Sequence, residues 1–258
     1  MQNFGESHPQ LTLSIISHGD SGKVSSLLRS LQKYESVDNF QIILTDNLGD
    51  ELPELADSFW PLWNIIRNQS PQGFARNHNR AFKIAQGKYF CILNPDVIFV
   101  GEVFQRLIEN WENQQADIVA PIIVDADGSL QDSYRNFPTP VEIVRRRLPG
   151  YQFSPPSADA IGLVRPDWIA GTFMLMRSET YRELNGFDEK YHLYFEDVDL
   201  CARAQLAGME LLVDTNIRIQ HNAHRASRRR LIYLLWHIQS AFRFFTSPVY
   251  KKIKQSSR

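Results

Sequence analysis

The chain has 258 residues, 43% of them apolar and 12% aromatic. That is enough to bury the core of one large or two small domains, and it excludes a disordered chain. The formal charge of −1 hides an asymmetry: nine of the 28 Lys/Arg lie between Arg225 and Arg258 with no Asp or Glu among them, leaving 19 basic against 29 acidic residues before that point. An acidic body with a basic tail points to an anionic surface as the partner of the tail. "MQNFGESHPQ" lacks the basic start and apolar run of a signal peptide, and no apolar stretch reaches the roughly 18 residues of a membrane span. Cys91 and Cys201 stand in neither a disulfide nor a zinc spacing, which predicts a reducing compartment.

In chain order, Leu11–Ser17 (LTLSIIS) is an apolar run ending in small polar residues and predicts a first strand. SGKVSSLLRSLQKY follows, with Val24, Leu27, Leu28, Leu31 and Tyr34 at helical spacing. FQIILTDN predicts a second strand ending at Asp46 and Asn47, and NIIRNQ a short third. FARNHNRAFKIAQG predicts a helix with Gly87 at its C-terminal cap. KYFCILNPDVIF predicts a fourth strand interrupted at Asn94-Pro95-Asp96. An amphipathic helix (EVFQRLIENWENQQ) and a fifth strand (DIVAPIIV) complete the series. The alternation predicts an α/β domain with a mostly parallel sheet, whose ligands bind beyond the carboxyl ends of the strands. Asp46 and the Asn-Pro-Asp triplet stand at two such ends. From residue 125, DADGSLQDSYRNFPTP carries an Asp-Gly turn signal and two prolines, and predicts a hairpin or an excursion over the sheet.

Four places offer chemistry. Pro95 cannot donate to a sheet ladder, so a central strand ends or bulges there and leaves Asp96 at the rim. A carboxylate so placed binds Mg²⁺ or Mn²⁺ together with a ligand phosphate, while the competing reading is a turn satisfied by Asn94 and Asp96. Asp46, at the end of the second strand, reads either as a nucleoside ligand or as a helix or turn cap. YFEDVDLCAR crowds Glu196, Asp197 and Asp199 behind two aromatics. Asp197 as an N-cap and Asp199 in the first turn would explain two carboxylates, with no account of Glu196. The aromatic wall of Tyr191, Tyr194 and Phe195 would instead raise a carboxylate's pKa and exclude water, as suits a general base. His221 and His224 follow the apolar MELLVD segment and are candidate metal ligands or structural histidines. After the first strand SHGDSGK has neither the G-x-G-x-x-G of a dinucleotide fold nor the spacing of a P-loop.

Taken together, GFARNHNRAFKIAQGKYFCILNPDV, DGSLQDSYRNFPTP and AGTFMLMRSETYRELNGFDEKYHLYFEDVDLCARAQLAG resemble the inverting family 2 glycosyltransferases of the GT-A fold. The likeness runs from SIISHGD to NAHRASRR and is nearest to bacterial rhamnosyltransferases that build lipopolysaccharide O-antigen or cell-wall linker glycans. It implies a Rossmann-like, mostly parallel sheet with flanking helices in residues 1–224. It also implies transfer of L-rhamnose from a dTDP-sugar to a polyprenyl-diphosphate-linked saccharide. Asp46 would bind the nucleobase, with His18–Asp20 nearby, and Gly73, Phe74, Arg76 and Asn77 would line the nucleotide site. Asn94-Pro95-Asp96 occupies the family's Asp-x-Asp position, so Asp96 would hold Mn²⁺ or Mg²⁺, joined by His221. Asp197 of the Glu196-Asp197 pair would be the catalytic base, and Gly171 and Thr172 would approach the donor and acceptor sugars. One departure stands out: Asn94 replaces the first Asp of the triplet, which removes a negative charge and weakens the expected grip on metal. SHGD also stands where many relatives carry Thr-Tyr-Asn.

Residues 225–258 form a basic, apolar and aromatic tail, predicted as a helical segment lying in the membrane interface with Trp236, Phe242 and Phe245 among its anchors. That predicts a cytoplasmic enzyme peripheral on the inner face of the membrane. The competing reading is a C-terminal helix packed on the domain with a solvated basic end. Nucleic acid is the other partner such charge allows, but no base-reading module accompanies it. Rival functions are a transferase using a UDP-sugar, a nucleotidyltransferase, and a non-catalytic nucleotide-sugar-binding protein. A nucleotidyltransferase needs a basic glycine-rich phosphate loop, for which SHGDSGK is a poor candidate.

Overall fold

The computed structural model describes residues 9–50, 62–146, 148, 150–151, 154–222 and 231–256. His224 and the arginines at 225, 228, 229, 230 and 258 lie outside them.

The first half alternates as its periodicity predicts: β1 (Leu11–Ser17), α1 (Ser21–Tyr34), β2 (Phe40–Asp46), β3 (Leu62–Arg67), α2 (Phe74–Phe82) and β4 (Tyr89–Leu93). After β5 (Val97–Phe99), α3 (Phe104–Gln114) and β6 (Ile118–Val124) come β7 (Tyr134–Arg135), α4 (Pro140–Arg145), β8 (Leu163–Val164) and β9 (Trp168–Ile169). The chain closes with β10 (Phe173–Arg177), α5 (Ser178–Glu183), α6 (Glu196–Leu206), β11 (Leu211–His221), α7 (Leu231–Thr246) and α8 (Pro248–Ser256). The strands build a nine-stranded sheet in the order β3-β2-β1-β4-β10-β6-β11-β5, with β8 on β11, while β7 and β9 pair separately. Strands β3, β2, β1 and β4 are mutually parallel, as are β6 and β11; β10 runs antiparallel to both its neighbours. The mostly parallel α/β architecture is therefore present, with one reversed strand at its centre.

Burial explains the strand sequences. Every residue of β2 and β4 is buried, as a sheet covered on both faces requires. The interrupted fourth strand is two strands in different places: β4 lies in the middle of the sheet, whereas β5, beyond Pro95, pairs antiparallel with β11 at the far edge. Helix α2 stops at Phe82, so Gly87 is not its cap. A Cβ on Gly87 would lie 2.5 Å from Thr12 N and 2.7 Å from Tyr89 O, so this glycine lets the chain cross against β1. Helix α3 receives its cap from afar, with Glu35 Oε1 accepting Val103 N–H at 2.7 Å and Phe104 N–H at 3.3 Å.

The tail packs on the domain. Ala241, Phe244 and Ile253 from α7 and α8 form a second apolar cluster with Tyr191, Phe195, Val198 and Ala202. Of the three expected membrane anchors only Phe242 is free, at 71% exposed. Phe245 packs on Tyr250 and Phe244, and Trp236 on His192 at 4.7 Å between ring centres. One face of α7 stays uncovered, with Ile232, Leu235 and Ile238 exposed beside Phe242. Among the described residues no helix is long and apolar enough to cross a membrane.

Candidate active site

Strand β1 leads to β2 on one side and is flanked by β4 on the other, so the sheet has its switch point between β1 and β4. Carboxyl ends converge there, and the crevice beyond them is where open α/β sheets bind ligands. Asp46 is buried, and its Oδ1 accepts N–H groups of Leu48, Gly49 and Asp50 at 3.2, 2.7 and 3.0 Å. That is the turn-cap arrangement, built on the residue expected to touch a nucleobase. Asp50 holds the neighbouring loop: its Oδ2 accepts Ser17 Oγ–H and the N–H groups of Gly19 and Asp20. Asn47 is the hub, bonded to His18 Nδ1 at 2.9 Å, to Gln72 O and N–H at 3.0 and 2.8 Å, and to Asn68 at 2.7 Å. Asn77 is buried in the same network, accepting from Asn68 at 2.8 Å. Gly73 admits no side chain, since a Cβ would lie 2.6 Å from His192 O, while Phe74 N–H bonds that carbonyl at 3.1 Å. Arg76 extends into solvent, 3.7 Å from Glu189.

The second group sits at the end of β4. Asp96 Oδ1 lies 3.0 Å from His221 Nε2, and Asp96 Oδ2 lies 3.7 Å from Lys23 Nζ, which pairs with Asp20 at 2.7 Å. Burial pushes the Asp96 pKa up, but His221 and Lys23 outweigh it and hold the carboxyl below its ordinary value. The opposite ring nitrogen, His221 Nδ1, faces Gln131 Oε1 at 2.8 Å, and Gln131 spends its N–H groups on Asp125 and the His221 carbonyl. Nδ1 therefore carries a proton, and Nε2 faces the Asp96 carboxylate. A cation or a proton must sit between those two groups. A ligating histidine fixed through its other nitrogen is the usual support of a metal site, and the pair fits a divalent cation that takes its remaining ligands from a diphosphate. Among the described residues no group of three or more His, Cys, Asp or Glu could hold a metal alone.

The third group is at the start of α6. The N-cap is Phe195, so Asp197 is not the cap but lies in the first turn with Glu196 and Asp199. Asp199 pairs with Arg203 at 2.8 Å. Tyr194 and Phe195 both adopt left-handed backbone, with φ of 72° and 66°, conformations rarely held by aromatics. Asp197 accepts N–H groups of Gly171 at 3.1 Å and Val198 at 2.8 Å. Gly171 makes that approach possible: a Cβ there would lie 3.1 Å from Phe74 Cζ. Burial raises the pKa of both carboxyls, of Glu196 well above its ordinary range with added repulsion from Asp197. The N–H bonds to Asp197 pull the other way, and Glu196 Oε2 has no partner. The proton of the pair thus belongs on Glu196, and Asp197 is the ionised member.

One strand joint links Asp197 to the Asp96–His221 pair. Asn94 N–H donates to Thr172 O at 3.0 Å, Thr172 follows Gly171, and Gly171 N–H holds Asp197. The structure thereby brings Asp96, His221, Asn94, Gly171, Thr172 and Asp197 to one crevice. His18, Asp20, Asp46, Gly73, Phe74 and Asn77 shape its other end. Sequence reasoning assigned no role to Lys23, Asn47, Asp50 or Gln131. Lys23, Asn47 and Gln131 stand inside quoted motifs, but their partners are far along the chain.

The profile described as Glycosyl transferase family 2 matches residues 15–178. The chain belongs to glycosyltransferase family 2. It is an inverting glycosyltransferase of the GT-A fold. The profile described as the N-terminal domain of galactosyltransferase matches residues 165–229. The chain is 30% identical to rhamnosyltransferase WbbL of Escherichia coli K12, covering 89% of this chain and 90% of that protein. It is 26% identical to an N-acetylglucosaminyl-diphospho-decaprenol L-rhamnosyltransferase of Mycobacterium tuberculosis, over 79% of this chain and 73% of the relative. Two solved structures share the fold. GalNAc-T7 with UDP, GalNAc and Mn²⁺ gives a TM-score of 0.64 at 16% identity, covering 85% of this chain but only 45% of the other. The mannosyltransferase PcManGT of Pyrobaculum calidifontis with GDP-Man and Mn²⁺ gives 0.61 at 13%, covering 98% and 70%.

Proposed function

We propose that this glycosyltransferase moves L-rhamnose, with inversion, from dTDP-rhamnose onto a polyprenyl-diphosphate-linked saccharide in O-antigen or cell-wall polysaccharide assembly. The observation that carries the reading is the Asp197–Gly171–Thr172–Asn94 joint, which ties a buried ionised carboxylate to the Asp96–His221 pair. The sugar and the lipid-linked acceptor are supported by the names of the two relatives, and the dTDP carrier by the resemblance to rhamnosyltransferases. In this reading Asp197 removes the proton of the acceptor hydroxyl as that oxygen attacks the anomeric carbon from the face opposite the nucleotide. Gly171 N–H keeps the carboxylate aimed, and Tyr191, Tyr194 and Phe195 limit water around it. Asp96 and His221 would hold Mn²⁺ or Mg²⁺, which neutralises the departing diphosphate when bound. Mn²⁺ in the two GT-A neighbours supports a divalent cation.

In the same reading α7 rests on the cytoplasmic face of the membrane with Ile232, Leu235, Ile238 and Phe242 toward lipid, where the acceptor resides. A panel of nucleotide-sugars in thermal shift, with and without Mn²⁺, tests the donor. Stabilisation by dTDP-rhamnose supports it, and stabilisation by UDP-sugars alone overturns it. Co-flotation with anionic vesicles, lost in Phe242→Glu, tests the membrane surface; no flotation of the unaltered enzyme overturns it.

A further inference from the structure

SHGDSGK is not a P-loop, but it carries a cation into the crevice. Lys23, in the first turn of α1, pairs with Asp20 Oδ1 at 2.7 Å and stands 3.7 Å from Asp96 Oδ2. His221 Nε2 faces the other oxygen of Asp96 at 3.0 Å. Asp96 is thus held from both sides, by an imidazole on one oxygen and an ammonium on the other. Two features mark the lysine's pairing as exchangeable. The approach to Asp96 is longer than a hydrogen bond, and the Lys23 and Asp20 side chains are 32% and 25% exposed, so both bridges are of the weak, solvent-screened kind. Asp20 is also the N-cap of α1, yet its side chain makes no cap hydrogen bond, although aspartate is among the best capping residues. Its carboxylate is committed to Lys23 and has a second use open at the helix start.

A nucleotide diphosphate entering this crevice meets the charges of Asp20 and Asp96, which oppose it unless positive charge intervenes. Asn94 has already removed one carboxylate from the triplet that would draw in a metal. Arg76 and Arg80, on α2, are turned to Glu189 and Asn68, whereas Lys23 already stands beside Asp96 on a flexible four-carbon stem. We infer that Lys23 binds the donor's diphosphate: its ammonium leaves Asp20 and Asp96 for the phosphoryl oxygens, and Asp20 turns to accept the N–H of Gly22 or Lys23 as a helix cap. A diphosphate carries more charge than either carboxylate, so the exchange favours the ligand. When the bond between the anomeric carbon and the diphosphate oxygen breaks, its electron pair stays on that oxygen. Lys23 balances the charge and transfers no proton. It is then a donor-binding residue that serves as the chain's own cation, beside any metal held by Asp96 and His221. The inference rests on the proposed use of a nucleoside-diphosphate sugar and names the residue that tells diphosphate from monophosphate.

Calorimetry on the full chain tests this, with dTDP, dTMP, UDP and UMP as probes, in EDTA and again with Mn²⁺. In EDTA the unaltered enzyme should bind dTDP about tenfold more tightly than dTMP. Lys23→Gln should abolish that preference and leave dTMP affinity unchanged, which also shows that the variant is folded. Lys23→Arg keeps the charge and should retain most of the preference. Asp20→Asn releases the lysine and should tighten dTDP binding in EDTA about two- to fivefold, whereas a merely structural bridge would weaken it. A dTDP preference that persists in Lys23→Gln, or none in the unaltered enzyme, overturns the inference and leaves the proposed transfer intact. Loss of dTDP and dTMP binding alike in Lys23→Gln assigns the lysine to loop shape and overturns it too. A preference for UDP over UMP that Lys23→Gln abolishes, with no binding of dTDP, supports Lys23 and refutes the thymidine donor. No nucleotide binding by the unaltered enzyme, with or without Mn²⁺, refutes both.

Discussion

The two ends of the crevice are built on opposite plans. At the Asp46 end the polar groups are met from within: Asp46 by three backbone N–H groups, Asp50 by Ser17, Gly19 and Asp20, and Asn47 by His18, Asn68 and Gln72. At the Asp197 end Glu196 and Arg146 each keep a buried polar atom without a partner, next to two aromatics in left-handed backbone. A saturated network sets a shape in advance and asks little of its ligand. An unsaturated one is destabilising until the correct ligand arrives, which turns the cost of an empty site into selectivity.

The sharpest way to separate the two ends is Asp197→Asn. Turnover should fall about 10²- to 10⁴-fold while nucleotide binding, measured by calorimetry, is retained; normal turnover would remove Asp197 as the base. The pH profile belongs to the same test. Burial raises the Asp197 pKa, so the unaltered enzyme should lose activity as pH falls through that raised value, and the limb should vanish in the variant. His221→Ala comes next, with Mn²⁺-dependent dTDP affinity weakened about 10- to 100-fold and little change in metal-free binding. If the Mn²⁺ effect persists, His221 does not hold the cation.

Smaller effects fall on stability, where the contrast between the ends can be broken directly. Asn47→Ala strands several buried partners and should cost about 2 kcal/mol in urea unfolding. Glu196→Gln alters a buried carboxyl whose Oε2 has no partner and should cost less. An equal or larger loss for Glu196→Gln would mean that the Asp197 end is as internally satisfied as the Asp46 end. The smallest effect lies outside the crevice. Burial outweighs two N–H donors and lifts Glu35 from 4.5 to about 7. The folded state therefore holds that proton more tightly than the unfolded chain, and stability falls as pH rises from about 4.5 toward 7. Glu35→Gln keeps an oxygen for Val103 and Phe104 without the charge. It should raise the unfolding free energy at pH 8 by on the order of 1 kcal/mol and leave it unchanged near pH 4.

The sequence was most legible where one physical rule dominates. Apolar periodicity located β1, α1, β2 and β6, and Pro95 announced the break that places Asp96 at the rim. It was least legible where distant segments decide. Gly87 looks like a helix cap in its own neighbourhood, and only the approach of Thr12 reveals its function. Asp197 looks like an N-cap until the left-handed turn at Phe195 shifts the helix start by two residues. Phe245 and Phe242 are equally apolar three residues apart, and only packing against Tyr250 distinguishes the inward from the outward ring. The contact of Asp96 with His221 spans 125 positions; resemblance to a family suggested it, and spacing alone could not.

The turn at Tyr194 and Phe195 also changes what the carboxyl-terminal helices are for. Left-handed backbone at a bulky residue costs about 1–3 kcal/mol and persists only where its surroundings impose it. Here the Phe195 ring is clamped 5.6 Å from Phe244 and 5.9 Å from Phe245, both in α7. The final helices thus act as a latch that keeps a loaded turn cocked. The same helix that turns an apolar face outward holds the turn two residues before Asp197, so a disturbance felt along α7 has a short mechanical route to that carboxylate.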